Sequence, residues 1–193
     1  MRGMHKEGIL SSAKHFPGHG DTKKDSHKTL PTISFSKSRL DSIELYPFKK
    51  LIEEGVSSIM VAHLNVPGLE TQETIPSSLS STIVNDLLKK ELNFHGLIFT
   101  DALNMKGASN YKNPGEIDLA AFMAGNDILL ISEDVPKAAD KIMEAYNAGT
   151  ISEVRMAHSV RKILFAKYKA GLHNYKAIDT TNLISELNTI EDL

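Results

Sequence analysis

The 193-residue sequence contains no cysteine and no tryptophan. Without cysteine there are no disulfides and no thiolate metal sites, although the compartment is left open. A chain without tryptophan is mildly unusual for a carbohydrate binder. No apolar run approaches the roughly 18 residues that a membrane-spanning helix requires. The opening MRGMHKEGIL has no apolar h-region, so it is not expected to act as a secretory signal. The formal net charge is only −2, and with no basic excess there is no electrostatic footprint for nucleic acid. What remains is an ordinary globular composition, 41% hydrophobic and 24% charged, of a length that suggests one domain.

Four short β-like runs stand out: residues 10–16 (LSSAKHF), 56–62 (VSSIMVA), 96–100 (GLIFT) and 127–131 (DILLI). The last three are apolar without polar alternation, as in strands buried on both faces of a parallel sheet. Helical patterns separate them. Residues 38–54 carry Leu40, Ile43, Leu51 and Ile52, with Ser38 as the expected N-cap and Pro47 expected to break or restart the helix. Further helices are predicted over 81–92, 115–124, 135–148 and 152–171. The last has Val154, Val160, Ile163, Leu164 and Tyr168 on its apolar side and Gly171 as its stop. Residues 2–8 read as the end of a helix, and the sequence from Leu172 onward as a tail or linker.

Alternating βα units imply an α/β class with right-handed crossovers. Each run ends in reactive side chains: Lys14 and His15, then His63 and Asn65, then Asp101, then Ser132 to Asp134. Doubly wound sheets concentrate their site at one switch point. Barrels build it from every strand's C-terminal end. The distribution here favours part of a (β/α)8 barrel. A complete barrel needs eight strands, and four are legible, so half a barrel truncated at its N-terminal side is the simplest expectation.

The densest chemistry lies in residues 14–27, KHFPGHGDTKKDSH. His15, His19 and His27 with Asp21 and Asp25 have the ligand types of a zinc site. Their spacing is not standard, because Pro17 and Gly18 forbid the helix that would put His15 and His19 on one face. The Gly-rich phosphate motif G-x-x-x-x-G-K-[ST] is absent. Asp25-Ser26-His27 can act as an acid/base pair, since a carboxylate beside an imidazole sets its tautomer and raises its pKa. On residues alone, a solvated surface bend explains the segment as well. Asp101 ends the apolar run Leu97-Ile98-Phe99, which suits a nucleophile or metal ligand, and equally a helix N-cap. His63, after the SSIMVA run, is either a wall of the site or a satisfied histidine at a strand end.

The combination is more specific. Lys14-His-Phe-Pro-Gly-His-Gly20 with Asp25-Ser-His27, followed by Thr100-Asp101-Ala-Leu-Asn-Met105, resembles glycoside hydrolase family 3. The similarity is to its β-N-acetylhexosaminidase branch, the NagZ-like enzymes. It extends over roughly residues 1–172 and leaves 173–193 as a C-terminal tail or linker. It implies a partial TIM (β/α)8 barrel, strands five to eight with their helices. Strands one to four are absent, and with them an aspartate and an arginine that grip the non-reducing sugar.

Asp101 matches the catalytic nucleophile, His27 the general acid/base and Asp25 its dyad partner. Lys14, His15 and His63 are expected to bind substrate. The resemblance implies a retaining β-N-acetylglucosaminidase that uses no metal or cofactor, acting on terminal N-acetylglucosaminides of peptidoglycan origin. Retaining glycosidases hold their two catalytic groups about 5–5.5 Å apart. An imidazole carried on a loop, with Gly18 and Gly20 at its base, suits a loop that closes over substrate. A neutral imidazole also repels anions less than a carboxylate does, so phosphate is a minor alternative acceptor to water. The expected partners are a small carbohydrate and either a second copy or the missing N-terminal half of the barrel. No nucleic acid or membrane partner is expected. Cytoplasm and bacterial periplasm both fit. A half barrel exposes sheet edges and apolar faces, so little or no activity is expected of this chain alone; a non-catalytic sugar- or partner-binding remnant is the alternative.

Overall fold

The computed structural model describes residues 1–20, 22, 28–72, 74–177 and 179–186. Asp25 and His27, the expected dyad, lie outside them, as does Asp21. A short helix α1 (Arg2–Lys6) leads into β1 (Ser12–Phe16), the first strand of a parallel sheet ordered β1-β2-β3. Helices α2 (Lys37–Ser42) and α3 (Tyr46–Glu53) return the chain to β2 (Ser58–Val61). A 3₁₀ turn (Ser77–Leu79) and a π helix (Thr82–Glu91) lead to β3 (Leu97–Thr100). The short α4 (Lys106–Ser109) is followed by α5 (Glu116–Ala124), α6 (Val135–Asn147) and α7 (Glu153–Lys169).

Three of the four predicted runs are strands. Ile59 and Ile98, both fully buried, pair across β2 and β3. Burying such a side chain contributes about 1.5–3 kcal/mol, which is why these apolar runs mark the core. The fourth run, 127–131, is not a regular strand. It lies beside β3 through a single parallel bridge, Phe99 to Ile128. Side chains add to the backbone bonds there, which include Ile128 N to Ile98 O at 3.1 Å and Thr100 N to Ile128 O at 3.0 Å. The Ile98 amide donates to Asp127 Oδ2 (3.0 Å), and the Leu130 amide donates to Thr100 Oγ1 (2.9 Å). Ile131 then turns away with φ +46°.

The long helix predicted over 38–54 is two helices. Its cap is Ser36, whose hydroxyl accepts from the Arg39 amide at 3.3 Å, not Ser38. Ser36 has the extended backbone of an N-cap, and Ser38 already lies within the first turn. Pro47 sits in the opening turn of α3, where a missing N–H costs no hydrogen bond. Ser152 caps α7, and Gly171 follows that helix with φ +77°.

The face that α7 buries is a correction. Val154, Leu164 and Tyr168, expected to pack inward, are 79%, 59% and 61% exposed. The inward face is polar. Ser159 donates to Asp127 Oδ1 at 2.5 Å, and Lys162 Nζ pairs with Asp127 Oδ2. Arg155 reaches the Phe122 and Asn126 carbonyls at 2.9 and 2.7 Å and covers the Phe122 ring. Asp127 dictates the docking, because a buried carboxylate needs cations and donors and the aliphatic side chains Val154, Val160 and Leu164 offer none.

Candidate active site

Parallel strands bring their C-terminal ends to one edge of the sheet, and three of the expected residues meet there. Val61 and Thr100 are paired neighbours, so the residues that follow them lie side by side. The Asp101 amide donates to the Val61 carbonyl at 2.8 Å, which carries the ladder one step past β3. Asp101 Oδ1 accepts from the Ala102 amide at 2.9 Å. Its other oxygen, Oδ2, lies 3.8 Å from His15 Nε2 at the end of β1. The Asp101 side chain is 16% exposed and that of His15 is 32% exposed, so the pair is half-sheltered yet open to a ligand. Asp101 is not a helix cap, since the N-cap position of α4 belongs to Met105.

His63 lies two residues beyond the end of β2 and is wholly buried. Ser78 Oγ and His63 Nδ1 are 2.7 Å apart, and His63 Nε2 lies 3.0 Å from the Ala102 carbonyl. Burial is the largest influence on its pKa and pushes it down. The Ala102 carbonyl and the Asp101 charge oppose that shift without reversing it. His63, expected as a substrate contact, has no exposed surface and meets Ser78 and the Ala102 carbonyl.

Lys14 is exposed and, with His15, His19 and Glu44, borders an open cleft between the loop after β1 and helices α2 and α3. Of the two residues, His15 faces the Asp101 carboxylate. The rings of His15 and His19 meet edge to face at 6.2 Å. The Lys14–His15 and Phe16–Pro17 peptides are cis. Gly18 has φ +118°, and a Cβ there would stand 2.8 Å from Glu44 Cβ, so the bend requires glycine.

The far foot of the same loop is also fixed at this end of the sheet. Thr32 bridges Asn65 in parallel, with Ile33 N to Asn65 O and Asn65 N to Pro31 O both 2.8 Å. Phe16, beside Val61, and Thr32, beside Asn65, therefore both lie at this end of the sheet. Among the described residues, no group of three His, Cys, Asp or Glu is disposed to hold a metal ion.

Sequence reasoning passed over Ser77, Ser78 and Ser80, all fully buried. Ser77 Oγ donates to the Ala62 carbonyl at 2.7 Å and receives the Leu64 amide at 3.2 Å. Ser80 Oγ donates to Glu70. The available signal was a serine-rich stretch after a proline, Pro76-Ser-Ser-Leu-Ser80, placed between a strand and a helix.

Residues 1–166 match the Glycosyl hydrolase family 3 N terminal domain. The chain is 35% identical over 146 residues to a Beta-hexosaminidase of Neisseria meningitidis serogroup C (strain 053442), covering 76% of this chain and 39% of that protein. A solved glycoside hydrolase family 3 beta-N-acetylglucosaminidase from Paenibacillus sp. str. FPU-7 superposes with a TM-score of 0.87 at 38% identity. That match covers 92% of this chain and 34% of the other. A Beta-glucoside phosphorylase bound to 2FGlc superposes with a TM-score of 0.84 at 28% identity, covering 91% and 33%. The chain spans less than half the length of the curated relatives it matches first.

Proposed function

The chain belongs to glycoside hydrolase family 3, and we propose that it carries the nucleophile and acid/base of a retaining β-N-acetylhexosaminidase. The observation that supports this best is the state of Asp101. It stands at the C-terminal end of a parallel strand, where barrel enzymes assemble their sites. One oxygen is tied by a backbone amide and the other faces a half-exposed histidine. An unsaturated carboxylate in a sheltered position is what attack on an anomeric carbon requires.

In this reading Asp101 attacks the anomeric carbon while His27 gives its proton to the departing glycosidic oxygen. The C–O bond breaks and a glycosyl-aspartate forms. Water then attacks the same carbon, His27 takes its proton, and Asp101 leaves as a carboxylate. Asp25 orients and charges the imidazole. The two anchored feet of its loop favour this assignment, because both lie at the Asp101 end of the sheet. Lys14 and His15 hold sugar hydroxyls. The β1-to-β3 segments stand for strands five to seven of a barrel, and 127–131 for the eighth. N-acetylglucosaminides derived from peptidoglycan are the substrate class that the resemblance favours.

The half-sheet leaves β1 with β2 as its one strand partner among the described residues. We therefore expect turnover of a chromogenic N-acetyl-β-glucosaminide by this chain to fall well below that of a full-length relative. Whatever turnover exists should vanish in Asp101→Asn and His27→Ala. Mass spectrometry after reaction with a fluorinated N-acetylglucosaminyl fluoride should find the label on Asp101. Label on another residue, or turnover unaffected by Asp101→Asn, would sink the assignment and leave a sugar-binding remnant. Running the assay with and without phosphate decides between hydrolysis and phosphorolysis.

A further inference from the structure

We propose that His63 is a positioning residue for Asp101, acting through the Ala102 carbonyl rather than through the sugar. The inference rests on Asp101 being the nucleophile. A buried histidine with two partners is ordinarily a packing residue. This one differs in the peptide it holds. The Asp101–Ala102 peptide supplies the amide that ties Asp101 Oδ1, and the next carbonyl along is the one bound to His63. Between them the two bonds set the rotation of the chain at the point where the carboxylate leaves it.

The tautomer follows from the partners. A carbonyl only accepts, so His63 Nε2 carries the hydrogen and donates to Ala102 O. In the neutral ring Nδ1 then accepts, and the Ser78 hydroxyl donates to it. Ser78 is itself held: its amide donates to Ala62 O at 3.1 Å, and its carbonyl receives Asn126 Nδ2 at 2.8 Å. Asn126 also donates to Ala121 O at 2.7 Å, at the end of α5. A chain of buried bonds thus runs from α5 through Ser78 and His63 to the residue beside the nucleophile. The links at Ser78 and Asn126 are buried and the one at Ala102 O is part-buried, so loss of one leaves its neighbour poorly satisfied. The aim of Asp101 Oδ2 toward His15 is the consequence.

Three 193-residue chains test this: the parent, His63→Leu and His63→Gln. Glutamine keeps an N–H near the Nε2 position, and leucine does not. The first measurement is amide hydrogen exchange at Ala102 relative to Ile98 in the core of β3. In His63→Leu, exchange at Ala102 should rise about tenfold beyond that at Ile98, the scale of a lost hydrogen bond. His63→Gln should recover most of the difference. The second is the maximal rate of Asp101 labelling by the fluorinated N-acetylglucosaminyl fluoride. It should fall about 10- to 100-fold in His63→Leu with the half-saturating concentration unchanged, and recover in His63→Gln.

Equal acceleration at Ala102 and Ile98 would make His63 a packing residue and overturn the proposal. A raised half-saturating concentration with an unchanged maximal rate would make it a sugar contact and overturn the proposal as well. Absence of label in the parent chain counts against Asp101 as nucleophile, whereas the exchange measurement alone decides whether His63 holds the peptide.

Discussion

Asp101 and Asp127 are both aspartates beside β3, one at each end, and their surroundings are opposite. Asp127 stands level with Ile98 and is saturated. Oδ2 takes the Ile98 amide and Lys162, Oδ1 takes Ser159, and no side-chain surface reaches solvent. Asp101 stands past Thr100 with one oxygen tied and the other 3.8 Å from a half-exposed imidazole. A carboxylate with both oxygens engaged by buried donors is inert and structural. A carboxylate left short of partners at the open end of the strand has reactivity to offer. This polarity is that of barrel strands, in which the C-terminal end serves chemistry and the N-terminal end stability.

The comparison breaks most visibly at Asp101. Asp101→Asn should reduce the glycosylation rate by about 10⁴-fold or more, the scale of losing a nucleophile, with the melting temperature nearly unchanged. Calorimetry and labelling kinetics on one preparation check both halves. Asp127→Ala should do the reverse. Removing one partner of a buried ion pair costs about 3–5 kcal/mol, read from urea unfolding. Pairing it with Lys162→Met should recover part of that loss, because the stranded cation goes too.

A smaller effect concerns acid. Burial depresses the His63 pKa in the fold below the unfolded value near 6.5. Between the two values the unfolded chain binds a proton that the folded chain does not. Stability from this group is complete above about pH 6.5 and declines as the pH falls toward the folded value, by at most about 1.4 kcal/mol per pH unit. Unfolding curves at several pH values should show this slope, and His63→Gln should flatten it.

The smallest effect is expected on the outer face of α7. Leu164 is 59% exposed, so Leu164→Gln should alter the stability of this chain by no more than about 0.5 kcal/mol. A loss of about 2 kcal/mol or more, well beyond the range of surface substitutions, would mean that something covers this face in solution.

The legible parts of the molecule were those governed by local pattern. Continuous apolar runs named β2 and β3 because strands buried on both faces cannot alternate. Pro47 marked the restart of a helix because it lacks an N–H. The place of Asp101 at a strand end was readable from the apolar run before it. The shift of the cap from Ser38 to Ser36 is a small failure of the same kind, since either hydroxyl satisfies the rule and backbone geometry chooses. The face of α7 is a larger one. Periodicity shows that a helix has an apolar side, but not whether a buried carboxylate elsewhere claims the opposite side. Ser78 was illegible because serine is ordinarily exposed, and nothing local shows that it will be buried against an imidazole.

The amino-acid order by itself determined which residues can carry charge, accept protons or form strands, and it placed the reactive ones at strand ends. Only the tertiary structure decided which aspartate has both oxygens engaged, which side of α7 faces inward, and that His63 is held between Ser78 and the Ala102 carbonyl. The reason is physical. Propensity and period act over a few neighbours, whereas the partners of a buried polar group come from residues 15, 32, 35 or 39 positions away.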